Sequence, residues 1–325
     1  MCIRDREYTA VIRTLGTAGE KYQTLLDSLN RQTVQPSKIL VYIAEGYAIP
    51  KETIGKEQYI YVKKGMVAQR ALPYHEVDTE FILFLDDDLF LPDSFVEKMY
   101  SFLEKNHADV ISPDVFPNAE RPLLGKCMMM LSGRMVARRN DGKWGYKVMR
   151  NSGYSYNNHP KSGIYSSQTN AGACFLCRKS EFLKIHFEEE LWMDQMKYPV
   201  GEDQVMYYKM YLSGLKQLTW FHCGIKHLDA GSTMVNEEKE KRLIYSDFYF
   251  KTIFWYRFIY QPDKNMLSRI WSVICIGYTL GFTLFISTLK CNFVILRLKY
   301  RAIKEAIDFI KSEEYKNLPL IKKMI

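Results

Sequence analysis

FILFLDDD, residues 81–88, is the stretch whose reading decides the fold. Residues 81–85 are apolar at every position, and a strand without polar alternation is covered on both faces, as in the interior of a parallel sheet. Asp86, Asp87 and Asp88 follow directly, so they sit at the strand's carboxyl end, the edge at which open α/β sheets bind ligands. Three adjacent carboxylates repel one another. A hard divalent cation, Mg²⁺ or Mn²⁺, relieves that repulsion when it is shared between one or two carboxylates and substrate phosphates. The competing use is an N-terminal cap for a helix starting near Pro92, a role that Asp93 could fill instead.

Working outward, residues 8–13 read as a short buried strand, and a helical pattern over 20–30 follows with Leu25, Leu26 and Leu29 on one face. Residues 38–43 form a second apolar strand and 58–62 a weak third, with a helix expected over 66–75. Beyond the aspartates the pattern predicts a helix at 92–105, strands at 109–112 and 173–178, and a helix at 204–213. Strands alternating with helices of this length define an α/β fold with a doubly wound, mainly parallel sheet. Between 113 and 169 the chain is rich in Gly, Asn, Ser and Tyr with poor periodicity, as in long functional loops.

From 237 onward the pattern is helical and increasingly apolar. Residues 270–289 are twenty positions without a charge, long enough as a helix to match a bilayer core of about 30 Å. Ser272, Gly277, Thr279, Gly281, Thr283 and Ser287 dilute that signal, so spanning, lying in the interface and packing on the protein all stay open. Leu296, Tyr300, Ile303, Ile307 and Ile310 make an apolar stripe beside Arg297, Arg301 and Lys304, the pattern of an interfacial helix.

Composition narrows the classes. At 325 residues and 47% apolar, the chain suits one large α/β core with an appendage and is not a mainly disordered protein. Of the net charge of +8, residues 290–325 carry +5, from nine Lys/Arg against four Asp/Glu. The body is only mildly basic, which argues against a nucleic-acid groove and favours a basic tail meeting anionic lipid; a solvated helix face is the plainer alternative. Seven scattered cysteines suggest reduced thiols, and Cys174 and Cys177, a lone CxxC in an apolar strand, read as core packing. The first seven residues are mostly charged without an apolar run, unlike a secretory signal, so a cytosolic catalytic body is expected.

GEDQ at 201–204 opens a helix after Pro199. A carboxylate there can be a cap, but a second acidic pair far along the chain from a metal-type cluster has another use. Transfer to a hydroxyl needs one group to stabilise a departing diphosphate and another to take the acceptor proton.

In combination these motifs resemble family 2 glycosyltransferases, whose members have the GT-A fold. The resemblance runs over roughly 8–232, through Thr14 at the end of the first strand, SLNRQ at 28–32, AQRA at 68–71, LDDD at 85–88, AGACFLCR at 171–178, FEEELW at 187–192 and the GED motif. It implies that Thr14 and Glu45 line the nucleotide base, that Arg70 contacts the nucleotide and Asp86 the ribose, and that Asp87 belongs to the same donor site. It further implies Asp88 as metal ligand, Asp203 as catalytic base and Glu202 on the acceptor side. His227, in KHLD at 226–229, lies where relatives place a histidine near the diphosphate and metal, whereas His222 reads as packing. Trp192 could stack on an acceptor sugar or be a core aromatic. The chain departs from the family at 44–47, where AEGY replaces an Asp-rich turn and leaves Glu45 to act at longer reach.

The resulting expectation is a metal-dependent, inverting transfer from a nucleotide-diphosphate sugar to a hydroxyl of a saccharide or lipid-linked acceptor. Residues 8–235 would form the GT-A catalytic domain and 236–325 a helical extension holding it to the cytoplasmic face of a membrane, with no nucleic-acid partner. A sugar-phosphate nucleotidyltransferase would carry a basic phosphate loop after the first strand, and TLGTAG at 14–19 has no Lys or Arg. A non-catalytic scaffold would be signalled by loss of Asp88 or Asp203, and both are present.

Overall fold

The computed structural model describes residues 6–115, 122–134, 144–150, 152–157, 162–196, 200–228 and 236–322. The strands are β1 (Tyr8–Thr14), β2 (Lys38–Ala44), β3 (Glu57–Val62), β4 (Phe81–Asp86), β5 (Leu89–Phe90), β6 (Val110–Pro113), β7 (Tyr146–Val148), β8 (Ser155–Asn157), β9 (Gly163–Ser166), β10 (Cys174–Arg178), β11 (Gln217–Phe221) and β12 (Lys226–His227). The helices are α1 (Glu20–Asn30), α2 (Phe95–Asn106), α3 (Leu123–Leu131), α4 (Lys179–Leu183), α5 (Glu202–Leu212), α6 (Glu237–Phe254), α7 (Met266–Leu289), α8 (Phe293–Lys311) and α9 (Glu313–Lys316). A 3₁₀ segment, Phe187–Gln195, precedes α5, and a π-helical turn, Trp255–Tyr260, continues α6.

Eight strands form one sheet in the order β3-β2-β1-β4-β10-β6-β11-β9. β1 to β4 are parallel, as the uniformly apolar β4 requires, while β10 runs antiparallel to both β4 and β6. This is the mixed, mostly parallel sheet of a GT-A-like fold with a helical C-terminal region. Because β10 reverses twice, β6 again points the same way as β4. The apolar residues alternate between two cores. Tyr8, Ala10, Ile12 and Leu83 pack under α1 and α2, whereas Val11, Ile82 and Phe84 face α5, α6 and the π-helical turn. Cys174 and Cys177 are buried on these two faces, and burial pushes both thiols up.

The structure changes several local expectations. Residues 66–70 form hydrogen-bonded turns rather than the start of a helix: Pro73 limits the segment and Tyr74 takes a left-handed backbone, φ 50°. Among the described residues of 113–169, α3 and the strands β7, β8 and β9 stand where a loop was expected; 116–121, 135–143, 151 and 158–161 lie outside the described residues. α8 does not bury the stripe from Leu296 to Ile310; its fully buried residues are Ala302 and Ala306, because small side chains let α8 come close to α6. His222 is exposed rather than packed, and Asp93 makes no cap bond to α2.

The second core does not stop at 236. Glu190, fully buried, accepts bidentate bonds of 2.9 Å each from Arg257 in the π-helical turn, 3.0 Å from Lys209 in α5 and 2.8 Å from Trp192 Nε1. Phe309 of α8 rests on the Trp192 ring, with centroids 5.5 Å apart.

Candidate active site

Parallel strands leave their carboxyl ends on one edge, so Arg13 and Thr14 from β1 meet Asp86, Asp87 and Asp88 from β4 there. They border a cleft of about 750 Å³ whose wall also includes Lys21, Lys64, Gln69, Asp194, Glu202 and His227.

The three aspartates have three environments. Asp86 accepts from Arg13 Nε at 2.5 Å, and Arg70 Nη2 lies 3.6 Å away. Burial works against its charge, but Arg13 and Arg70 outweigh burial and hold the carboxyl below its ordinary value. Asp87 accepts the Thr14 hydroxyl, which in turn accepts from Gly16 N at 2.7 Å. Burial first, then the charges of Asp86 and Asp88, push the Asp87 carboxyl up to about 6 against the pull of Thr14. Asp88, only 7% exposed, places Oδ1 3.1 Å from His227 Nε2.

The Asp88–His227 pair is built by a two-strand ladder. β12 pairs antiparallel with β5, setting His227 opposite Leu89, and Leu228 N donates to the Asp88 carbonyl at 2.8 Å. One carboxylate and one imidazole suit Mn²⁺ or Mg²⁺ when substrate phosphates complete the coordination. Among the described residues no group of three or more His, Cys, Asp or Glu is arranged to hold an ion without such help.

Opposite stands the start of α5. Gly201 has φ 84°, and a Cβ there would meet the Phe250 ring of α6 at 2.3 Å, so α6 sets the approach to Glu202 and Asp203. Arg70 is 2% exposed, donates to Asp203 Oδ1 at 2.7 Å and to the Gly172 carbonyl at 2.9 Å. Glu202 borders the cleft 3.8 Å from Arg13 Nη2; burial and the Asp203 charge push its carboxyl up, against Arg13 and Arg70.

Thr14, Asp86, Asp87, Asp88, Glu202 and His227 therefore meet at one cleft, with Asp203 beside it. Three residues from the sequence reading do not. Arg70 is not a cleft wall but lies behind it, paired with Asp203, because a buried guanidinium must spend its donors on protein acceptors. Glu45 is exposed beyond β2 and does not border the cleft. Trp192, 5% exposed, is occupied by Glu190 and Phe309, so it is a core aromatic and not an acceptor platform. Two site residues went unnoticed. Arg13 left a signal, a lone charge inside an apolar strand that must find an anion. Asp194 left none; it accepts from Val67 N at 2.8 Å and Ala68 N at 2.9 Å and thereby holds the 66–70 turns against the cleft.

The site therefore joins the acidic carboxyl edge of a mostly parallel sheet to a second acidic pair at the start of α5. In the comparison with protein families, residues 58–180 match the model described as glycosyl transferase family 2. Arg13, Thr14, Glu202, Asp203 and His227 fall outside the matched residues. No curated protein matches the chain. Among solved structures it is similar to the crystal structure of S. aureus TarS 1-349, with a TM-score of 0.46 and 14% identity over 87% of this chain and 73% of that one.

Proposed function

We propose that the protein transfers a sugar, with inversion, from a nucleotide-diphosphate donor to a hydroxyl of a saccharide or lipid-linked acceptor, assisted by Mg²⁺ or Mn²⁺. The observation that carries this reading is the 3.1 Å approach of His227 to Asp88 at the sheet edge, in the cleft that Glu202 also borders. Asp88 and His227 would hold the ion, which neutralises charge on the departing diphosphate. Thr14 and Asp87, bonded to each other, would meet the nucleoside. Asp86, fixed by Arg13, would stand at the ribose. Asp203 takes the acceptor proton as the hydroxyl oxygen bonds to the anomeric carbon and the bond to the diphosphate breaks; Arg70 fixes its Oδ1 and so orients the carboxylate. A base held this way contributes about 10² to 10⁴ in rate. Glu202 sits on the acceptor side, its proton affinity raised by Asp203.

In this reading 8–235 is the catalytic unit and 236–325 a helical extension that keeps it at the cytoplasmic face of a membrane. A panel of nucleotide sugars assayed for release of nucleoside diphosphate, with and without chelator, tests it. Release from at least one donor, abolished by chelation and restored by Mn²⁺ or Mg²⁺, is expected. Turnover indifferent to chelation would remove the metal from the proposal.

A further inference from the structure

α7 is inside out. Its buried stripe consists of Ser272, Ile276, Thr279, Thr283 and Ser287, four of the five hydroxylated. Its large apolar residues point away from the protein: Leu267 is 78% exposed, Trp271 66%, Ile274 56% and Phe285 56%. A helix packed for water would show the reverse pattern. Small hydroxyl residues toward protein and bulky apolar ones outward is how helices face lipid.

A second element shares this surface. In α3, which buries no residue, Leu123 and Leu124 are 77% and 75% exposed, and the Leu131 carbonyl accepts the Tyr278 hydroxyl of α7 at 2.6 Å. α3 follows β6, whose carboxyl end lies on the edge that carries Asp86 to Asp88.

The neighbour of α7 decides how it meets lipid. α8 returns antiparallel along it: Lys299 Nζ donates to Ser287 Oγ at 2.9 Å near the turn, and Ile307 and Ile310 border the same crevice as Val273 and Ile276 further back. α8 carries seven charged residues, five of them Lys or Arg. A spanning α7 would carry these charges into hydrocarbon, where they are costly. Held in the plane of the interface, α7 immerses only its outer face while α8 stays on the wet side. Arg269 at one end, Lys290 at the other and the excess cations of α8 complement anionic headgroups.

We propose that α7 and α3 together form an in-plane, non-spanning docking surface for an anionic bilayer. This rests on the membrane attachment proposed above and adds its geometry and its second foot. Docking through α3 brings the cleft-bearing edge of the sheet to the lipid surface.

The test uses the full chain added to preformed vesicles of phosphatidylcholine with or without phosphatidylglycerol. Co-sedimentation is compared for the unaltered protein, for Ile274→Glu and for the double variant Leu123→Glu/Leu124→Glu, all at exposed sites where the fold is unaffected, as circular dichroism checks. Cys291, exposed at the turn between α7 and α8, is labelled with a membrane-impermeant maleimide from outside. Binding that requires phosphatidylglycerol, falls at least tenfold in both variants and leaves Cys291 labelled from outside supports the proposal. Vesicle binding with Cys291 protected until lysis means insertion and overturns it, as does undiminished binding of the α3 variant; either leaves membrane attachment itself standing. An unaltered chain that ignores vesicles and self-associates with concentration overturns both, and assigns the apolar face to a second copy.

Discussion

Replacing Glu190 by Gln tests how the C-terminal helices are tied to the catalytic body. The amide keeps the side chain's shape but removes its charge. Arg257, 1% exposed, then has no anion, and Lys209, 5% exposed, keeps the partly exposed Glu189 at 2.8 Å and the His186 carbonyl at 2.7 Å. Breaking a buried pair by removing one partner costs about 3–5 kcal/mol. In a chain of this size, whose unfolding entropy is about 0.7 kcal/mol/K, that corresponds to a fall in melting temperature of roughly 4–7 °C. Arg257→Met should cost less, because Lys209 still neutralises Glu190. The pH dependence follows from the sign of the shift. Burial disfavours the Glu190 carboxylate, but Lys209 and Arg257 outweigh it and lower its folded value beneath the ordinary 4.5. Its stabilisation is therefore complete above 4.5 and disappears as the pH falls through the lower folded value. Denaturant unfolding of both proteins between pH 7 and pH 3 should show the wild-type advantage at neutral pH and its loss on acidification. A difference under 1 kcal/mol at pH 7, or one that does not shrink in acid, refutes the reasoning.

Asp88→Asn should abolish metal-dependent turnover with little change in melting temperature, since an amide is a poorer ligand for a hard cation; near-normal turnover rules out the ligand role. Asp203→Asn should retain donor binding by calorimetry while the transfer rate falls at least about a hundredfold, and equal loss of donor affinity would point to a structural role. Gly172→Ala would put a Cβ 1.9 Å from Asp203 Oδ1 and 2.3 Å from Arg70 Nη1; wedging that pair apart should lower kcat more than donor affinity, and an unaffected kcat would show that the pair does not position the base. Truncation after 265 uncovers Trp192 and the face of α6 that α8 covers, so the shortened protein should aggregate in size-exclusion chromatography; a monodisperse product would contradict the packing of Phe309 on Trp192.

Much of the fold was legible because local pattern and tertiary fate agree where a strand is buried on both faces. Residues 81–85 could only be interior, and the aspartates after them had to lie on the sheet's carboxyl edge. Thr14 and the roles of the acidic pair at 202–203 entered through the family resemblance instead. Local pattern failed where function depends on partners distant in the chain. The resemblance implied a nucleotide contact for Arg70, and Trp192 stood open between a sugar platform and a core aromatic. Only packing shows that Arg70 spends its donors on Asp203 and Gly172, and Trp192 its indole on Glu190.

By itself, then, the sequence determined six of the sheet's eight strands, its acidic edge and a long uncharged helix near the C-terminus, all consequences of short-range periodicity and charge clustering. Tertiary structure alone decided that His227 stands beside Asp88, through a two-residue ladder joining segments 139 positions apart. It also decided that Asp194 braces the cleft and that α7 turns its hydroxyl residues inward. Composition could not orient α7, because a helix of this polarity can bury either face; the close approach of α8, allowed by Ala302 and Ala306 against α6, selects which side meets protein and leaves the bulky side exposed.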